Sequence, residues 1–271
     1  MSKSLKLGKE SLRRRARRFL STDLYGRIEV RDFCTKMSDV GDVAIFGGML
    51  RDLSLEGNVG FSSDVDLVID STDLSAIENV ISNYRSSRTA FGGHRIQFKR
   101  WSVDVWPLQL TWAIRNGHVT GDKLADLTNT TFFNWDAIVY DLSSGLVHCS
   151  EQYFDELEGR LLTINLASNP NPEGAAIRAL KMAVTKRARL SYMLAEYTAD
   201  VLDTVGVEAL SESERTKHKP VRASSAIMVA FLHEFKKTKA EGRTDPIALR
   251  VLQTEFGFSP SKADLSTSDQ L

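Results

Sequence analysis

Residues 43–70 read VAIFGGMLRDLSLEGNVGFSSDVDLVID, and this stretch decides the architecture. Val43-Ala44-Ile45-Phe46 is a short apolar run of the kind a buried strand needs. Gly47-Gly48 ends it, and Met49 to Leu55 starts a helical pattern. From Ser62 to Asp70 the pattern changes to alternation, which predicts a second strand. The order is therefore strand, glycine turn, helix, strand.

Asp64 and Asp66 are two apart, so a strand places both carboxylates on one face while Val65, Leu67 and Ile69 point to the other. Two adjacent carboxylates repel unless a cation lies between them, and hard divalent ions such as Mg2+ or Mn2+ take such oxygens together with water and phosphate. Ser102-Val103-Asp104-Val105-Trp106 alternates in the same way and sets Asp104 opposite in phase to its two valines. If the two strands are neighbours, Asp104 completes a three-carboxylate cluster that holds two metal ions, and it can also act as base. An Asp-x-Asp strand is equally compatible with ordinary solvated polarity, so what precedes it matters. Glycines at a strand-to-helix turn let backbone amides approach a phosphate, and the helix N-terminus favours negative charge. Neither Gly-x-Gly-x-x-Gly nor Gly-x-x-x-x-Gly-Lys occurs, which argues against a dinucleotide fold or a P-loop enzyme.

Working outward, further strands are predicted at His94–Phe98, Ser102–Trp106 and Ala137–Tyr140, with helices over 21–37 and 74–84. Beyond Cys149 apolar residues recur at helical spacing in 173–192, 194–209, 222–240 and 246–256. The expectation is an α+β catalytic head over 21–150, a helical domain over 151–258 and a flexible tail over 259–271. Residues 1–20 form a basic arm with Lys3, Lys6, Lys9, Arg13, Arg14, Arg15, Arg17 and Arg18 against Glu10 alone. It is either an RNA-binding segment or a solvated basic helix.

The whole chain of 271 residues balances 35 basic against 35 acidic side chains, so any polyanion contact must come from local clustering. The two cysteines, Cys34 and Cys149, have no metal-ligand spacing and fit a reducing compartment. No stretch of about 18 apolar residues occurs, and the expectation is a cytoplasmic protein without a membrane span.

Gly47-Gly48-Met49-Leu50-Arg51-Asp52-Leu53 followed by Asp64-Val65-Asp66-Leu67 resembles the head domain of class II CCA-adding enzymes and bacterial poly(A) polymerases, within the polymerase-beta-type nucleotidyltransferases. The resemblance continues through Phe91-Gly92-Gly93-His94-Arg95, where that family has a Gly-containing turn before the strand of its third acidic residue. It implies that Asp64 and Asp66 bind magnesium with Asp104 as the third carboxylate, that Gly47 and Gly48 contact the nucleotide, and that Arg51 and Asp52 support the site. For Arg51 a local salt bridge is an equal alternative.

Two departures stand out. The family's Arg-Arg-Asp-Phe-Thr-x-Asn-Ala motif aligns with Thr130-Thr131-Phe132-Phe133-Asn134-Trp135-Asp136-Ala137, without the basic pair and its Asp. The family's base-reading Glu-Asp-x-x-Arg aligns with Gly174-Ala175-Ala176-Ile177-Arg178, so only Arg178 survives and base selectivity does not carry over. On a continuous helix Arg178, Lys181, Lys186 and Arg189 share one sector, either facing phosphates or solvated. The chain runs roughly 120 residues past the head, less than the family's body and tail domains need, so a housekeeping CCA-adding role is not expected.

The leading reading is transfer of a nucleoside monophosphate from an NTP, ATP among the candidates, to an RNA 3′ hydroxyl such as that of tRNA, with release of pyrophosphate. Transfer to a protein or small molecule, including in a toxin or defence role, is the alternative enzymatic reading. A non-catalytic RNA-binding relative is the third.

Overall fold

The computed structural model describes residues 7–24, 26–60, 64–89, 91–217 and 223–249. A seven-stranded sheet forms from β1 (Asp42–Phe46), β2 (Val65–Asp70), β3 (Ser86–Arg88), β4 (His94–Gln97), β5 (Ser102–Pro107), β6 (Ile138–Asp141) and β7 (Val147–Cys149). Their spatial order is β3-β4-β5-β2-β1-β6-β7. Every pairing is antiparallel except that of β2 with β5. Short strands β8 (Leu161–Leu162), β9 (Arg189–Leu190) and β10 (Ile247–Ala248) make a second, three-stranded sheet. The helices are α1 (Lys9–Ser21), α2 (Arg27–Ser38), α3 (Gly48–Gly60), α4 (Leu74–Ser82), α5 (Trp112–Arg115), α6 (Tyr153–Glu158), α7 (Pro172–Thr185), α8 (Tyr192–Val205), α9 (Val207–Lys217) and α10 (Ser225–Ala240). The expected α+β class is the observed one.

Alternation gives the large sheet two different faces. Val43, Ile45, Val65, Leu67, Ile69, Val103, Val105, Ile138 and Tyr140 point into one continuous apolar cluster that also takes in the helices from Leu12 to Phe235. The other face carries Ala44, Val68 and Val139 under Leu108, Leu124 and Leu127, with Phe46, Trp106 and Ile114 at the margin. The second cluster is small and leaves part of its face open for polar side chains. Helix starts are chemically marked: Asp73, Asn171, Ser191 and Ser224 accept from backbone amides three residues on, each cap contributing about 1 kcal/mol.

The N-terminal basic segment is not a solvated arm. Leu12, Ala16 and Phe19 of α1 are fully buried, Phe19 meets Trp101 edge-on at 5.1 Å, and Arg15 donates to the carbonyls of Leu53 and Ser54. Arg13 pairs with Glu10 at 2.8 Å, and Arg14, Arg17 and Arg18 are exposed. Lys3 and Lys6 lie outside the described residues.

The helix predicted over 173–192 stops at Thr185, because Arg187 takes a left-handed φ of 55° and Arg189-Leu190 pair with β8 and β10 instead. Gly206, at φ 90°, divides the predicted 194–209 helix into α8 and α9. Ile247-Ala248 are a strand where a helix over 246–256 is expected, and the rest of that helix and the tail from 259 fall outside the described residues. Strands β3 and β7 were not foreseen. Among the described residues no helix is long and apolar enough to cross a membrane.

Candidate active site

The sheet register draws a line of side chains across its open face. Phe46 of β1 stands opposite Asp66 of β2, Asp66 opposite Asp104 of β5, and Asp104 opposite Arg95 of β4. Asp64 lies just before β2. The predicted adjacency of the two aspartate strands is therefore met, and by a parallel pairing.

Asp104 is buried, and Arg95 grips it with both ends of the guanidinium: Nε donates to Oδ1 at 2.7 Å and Nη2 to Oδ2 at 2.6 Å. The same Nη2 reaches Asp64 Oδ2 at 3.3 Å. Asp66 is partly buried, and no hydrogen bond or ion pair reaches its carboxylate from the described residues. Burial, then the neighbouring charges of Asp104, Asp136 and Asp64, push its pKa up to about 8. Burial also raises Asp64, against the opposing pull of Arg95.

This is a donor set that favours a cation. Asp64 and Asp66 suit a hard divalent ion that completes its shell with water and phosphate oxygens. Asp104, the expected third carboxylate, is held by Arg95. Among the described residues no three His, Cys, Asp or Glu side chains converge on one point closely enough to hold a metal.

Beside the acids, Gly47 makes the strand-to-helix turn at φ 75°, a conformation costly for any residue with a Cβ. A Cβ there would lie 3.9 Å from Asp66 Oδ2, and one on Gly48 would touch the Arg51 guanidinium at 3.4 Å. The start of α3 thus lies beside the carboxylates.

Arg51 and Asp52 lie beneath this turn, both buried. Arg51 donates to Asp52 at 2.8 and 3.1 Å and to Asp136 Oδ1 at 2.5 Å. Burial by itself would weaken its hold on the proton, but Asp136 and Asp52 more than offset that and keep it charged. The local salt bridge is the role the structure gives Arg51. Asp136 also accepts from Arg178 Nη2 at 2.6 Å, and Arg178 lies over the Phe133 ring at 5.2 Å. Lys186 pairs with Asp52 at 3.3 Å and with Glu56. A chain of three cations and three anions thus links α3, the 3-10 turn Asn134–Asp136 and α7.

The proposed basic sector is consequently dispersed. Arg178 borders the site and Lys181 is exposed on α7, but Lys186 turns inward below α3. Arg189 sits on β9 and donates to the Gly159 carbonyl. A shared sector would need one unbroken helix, and α7 ends at Thr185. His94 is buried and pairs with Glu78 at 3.0 Å, a structural role. Trp101 and Trp135 are core residues, whereas Trp106 stays at the margin of the open face.

Sequence reasoning missed Arg95 and Asp136. Arg95 lay in a predicted strand, but only the β4–β5 register shows that it faces Asp104. Asp136 occupies the Asn position of the aligned family motif, so a signal existed there without an indication of its partners.

By sequence, no protein-family model and no curated protein matches the chain. Solved structures do. The Thermotoga maritima CCA-adding enzyme complexed with tRNA superposes with a TM-score of 0.55 at 15% identity, covering 83% of this chain and 54% of that one. A CCA-adding enzyme with ATP gives 0.54 at 15% identity, over 80% and 52% of the two chains. A tRNA nucleotidyltransferase with a primer tRNA and an incoming ATP analog gives 0.51 at 15%, over 77% and 60%. The fold is that of CCA-adding and tRNA nucleotidyltransferases, and the chain spans a little over half the length of those structures.

Proposed function

We propose that this chain is a divalent-metal-dependent nucleotidyltransferase that moves a nucleoside monophosphate from an NTP to an RNA 3′ hydroxyl. The observation that carries the reading is the placement of Asp66 opposite Asp104 on paired parallel strands, with Asp64 beside them and the Gly47-Gly48 turn at their edge. Structures of the same fold that hold tRNA and ATP support the choice of RNA and NTP.

In the reaction the acceptor oxygen bonds to the α-phosphorus, the α–β bridging P–O bond breaks, and pyrophosphate leaves. The hydroxyl proton passes to the carboxylate cluster, with Asp104 as the proposed acceptor. Asp64 and Asp66 would hold a Mg2+ or Mn2+ ion, which would neutralise part of the triphosphate charge. The Gly48 and Met49 amides at the start of α3 are the proposed donors to phosphate oxygens, and Gly47 shapes the turn while its own N–H donates to the Ile138 carbonyl. Arg178, anchored by Asp136 and braced on Phe133, turns the rest of its guanidinium toward the nucleotide. Arg51 and Asp52 act from below by fixing Asp136 and the turn. Arg14, Arg17, Arg18 and Lys181 are exposed and Arg13 is half-buried against Glu10; these are the proposed contacts to an RNA backbone. The two free cysteines suit a reducing compartment, and the cytoplasm is the proposed location.

The test is incubation of the purified protein with each labelled NTP, Mg2+ or Mn2+ and total cellular RNA, followed by a denaturing gel. Labelled RNA with wild type and none with Asp64→Ala is the expected result. Label that migrates with protein would overturn the RNA acceptor, and the absence of any label would overturn transfer itself.

A further inference from the structure

We propose that Arg95 is a built-in cation of the catalytic centre, taking the place of one of the two divalent ions that three free carboxylates would hold, so that the centre binds a single ion on Asp64 and Asp66. The inference rests on the metal-dependent reading above and adds to it a stoichiometry and a positioning residue.

The first argument is geometric. Arg95 and Asp104 are direct cross-strand partners, so their side chains leave the same face of the sheet side by side. The contact is bidentate, the arrangement in which a guanidinium holds a carboxylate most strongly. On its other side Arg95 faces Ser87 of β3, which is neutral, so its acidic partners are Asp104 and Asp64. Strand β4 cannot slide away readily. Gly93 lies so close to the Trp106 indole that a Cβ would sit 2.2 Å from its Nε1, and His94 is pinned to Glu78.

The second argument is charge balance. Arg51, Arg178 and Lys186 pair with Asp52, Asp136 and Glu56, three charges of each sign. What remains at the open face is Asp64, Asp66 and Asp104 against Arg95, a net of two negative charges when all are ionised. One divalent ion neutralises that remainder. Without Arg95 the same face would carry three negative charges and would call for a second ion.

The experiment is Mn2+ binding to the full chain, counted and titrated by electron paramagnetic resonance without nucleotide, with a circular-dichroism melt on every variant. Wild type should bind one ion. Arg95→Met should bind a second ion or hold the first at least tenfold more tightly, and Arg95→Lys should stay closer to wild type. The double variant Arg95→Met, Asp104→Asn, which keeps the net of two negative charges, should hold one ion within a few-fold of the wild-type Kd, whereas Asp104→Asn alone, which leaves Arg95 to Asp64, should weaken it. Two ions on wild type, or loss of the ion in the double variant, would overturn the inference and leave the metal reading standing. No ion on wild type would remove the metal reading and this inference with it.

Discussion

Asp136→Ala tests whether the buried ion chain holds the helical unit to the sheet. The substitution removes the one carboxylate shared by Arg51 and Arg178, at 2.5 and 2.6 Å. Breaking a buried pair typically costs about 3–5 kcal/mol, because a charge is left without its partner. Two features place this case at the low end. Arg51 keeps Asp52, and Arg178, with 47% of its side chain exposed, regains water. The expected loss is about 3 kcal/mol, which corresponds to a Tm lowered by roughly 6–12 °C in a domain of about 150–250 residues. Arg178→Ala should cost about 1 kcal/mol or less, while Arg51→Ala, which strips two buried acids of a donor, should cost about 3–5 kcal/mol. The double variant Arg51→Ala, Asp136→Ala should cost less than the two singles added, by about 1–3 kcal/mol. Urea unfolding followed by circular dichroism supplies these values, with equal m-values as the check on two-state behaviour. A loss under about 1 kcal/mol for Asp136→Ala, or strict additivity in the double variant, would refute the reasoning.

Three further outcomes are expected. Asp64→Ala and Asp66→Ala should abolish transfer while stability in EDTA holds or rises. Because the Asp66 pKa is raised from 3.8 to about 8, the stability this group allows is fully present below about pH 4 and is lost as pH rises toward 8. The Asp66→Asn gain in EDTA melts should therefore be larger at pH 8 than at pH 5, and an equal gain at both would discredit the electrostatic cause. With the Glu-Asp half of the base-reading template replaced by Gly174-Ala175, two or more NTPs should be incorporated at comparable rates; strict choice of one base, unchanged in Arg178→Ala, would exclude this position as the reader. Replacing Arg13, Arg14, Arg17 and Arg18 with Ala should weaken RNA binding and flatten its salt dependence by about 0.7–0.9 in log–log slope per lost phosphate contact, with reaction on a dinucleotide acceptor little changed. Equal affinities and slopes would assign that face of α1 to solvent alone.

What the sequence discloses follows from the range of the forces involved. Strands β1, β2 and β5 and the Asp64/Asp66 pair are legible because a period of two is a local property, written in Val, Ile and Leu. Ser86-Ser87-Arg88 is wholly exposed and carries no apolar signal, so β3 shows only in its pairing with β4. The end of α7 is hidden for a related reason: Lys186 has good helix propensity, and what stops the helix is the left-handed Arg187 and the pairing of Arg189-Leu190 with β8 and β10. At the site the acids could be named from spacing, but Arg95 and Asp136 acquire their roles from register and from a contact 85 residues away in the chain. The burial of α1 was legible after all. Leu12, Ala16 and Phe19 recur at helical spacing between the arginines, an apolar stripe within a strongly basic helix.

The lone parallel pairing in the large sheet has a consequence for how the molecule is made. The hairpins β3–β4, β4–β5 and β6–β7 can zip from their turns, but β2 and β5 must wait for residues 71–101, with α4 and the β3–β4 hairpin, to cross over and close. Such long-range closure is a slow, entropically opposed step in assembly. Asp66 and Asp104 become neighbours only at that step, so a nascent chain that has not yet emerged through β5 cannot present the paired acids. The proposed reactivity toward nucleotides therefore requires that β5 has been made and has paired with β2.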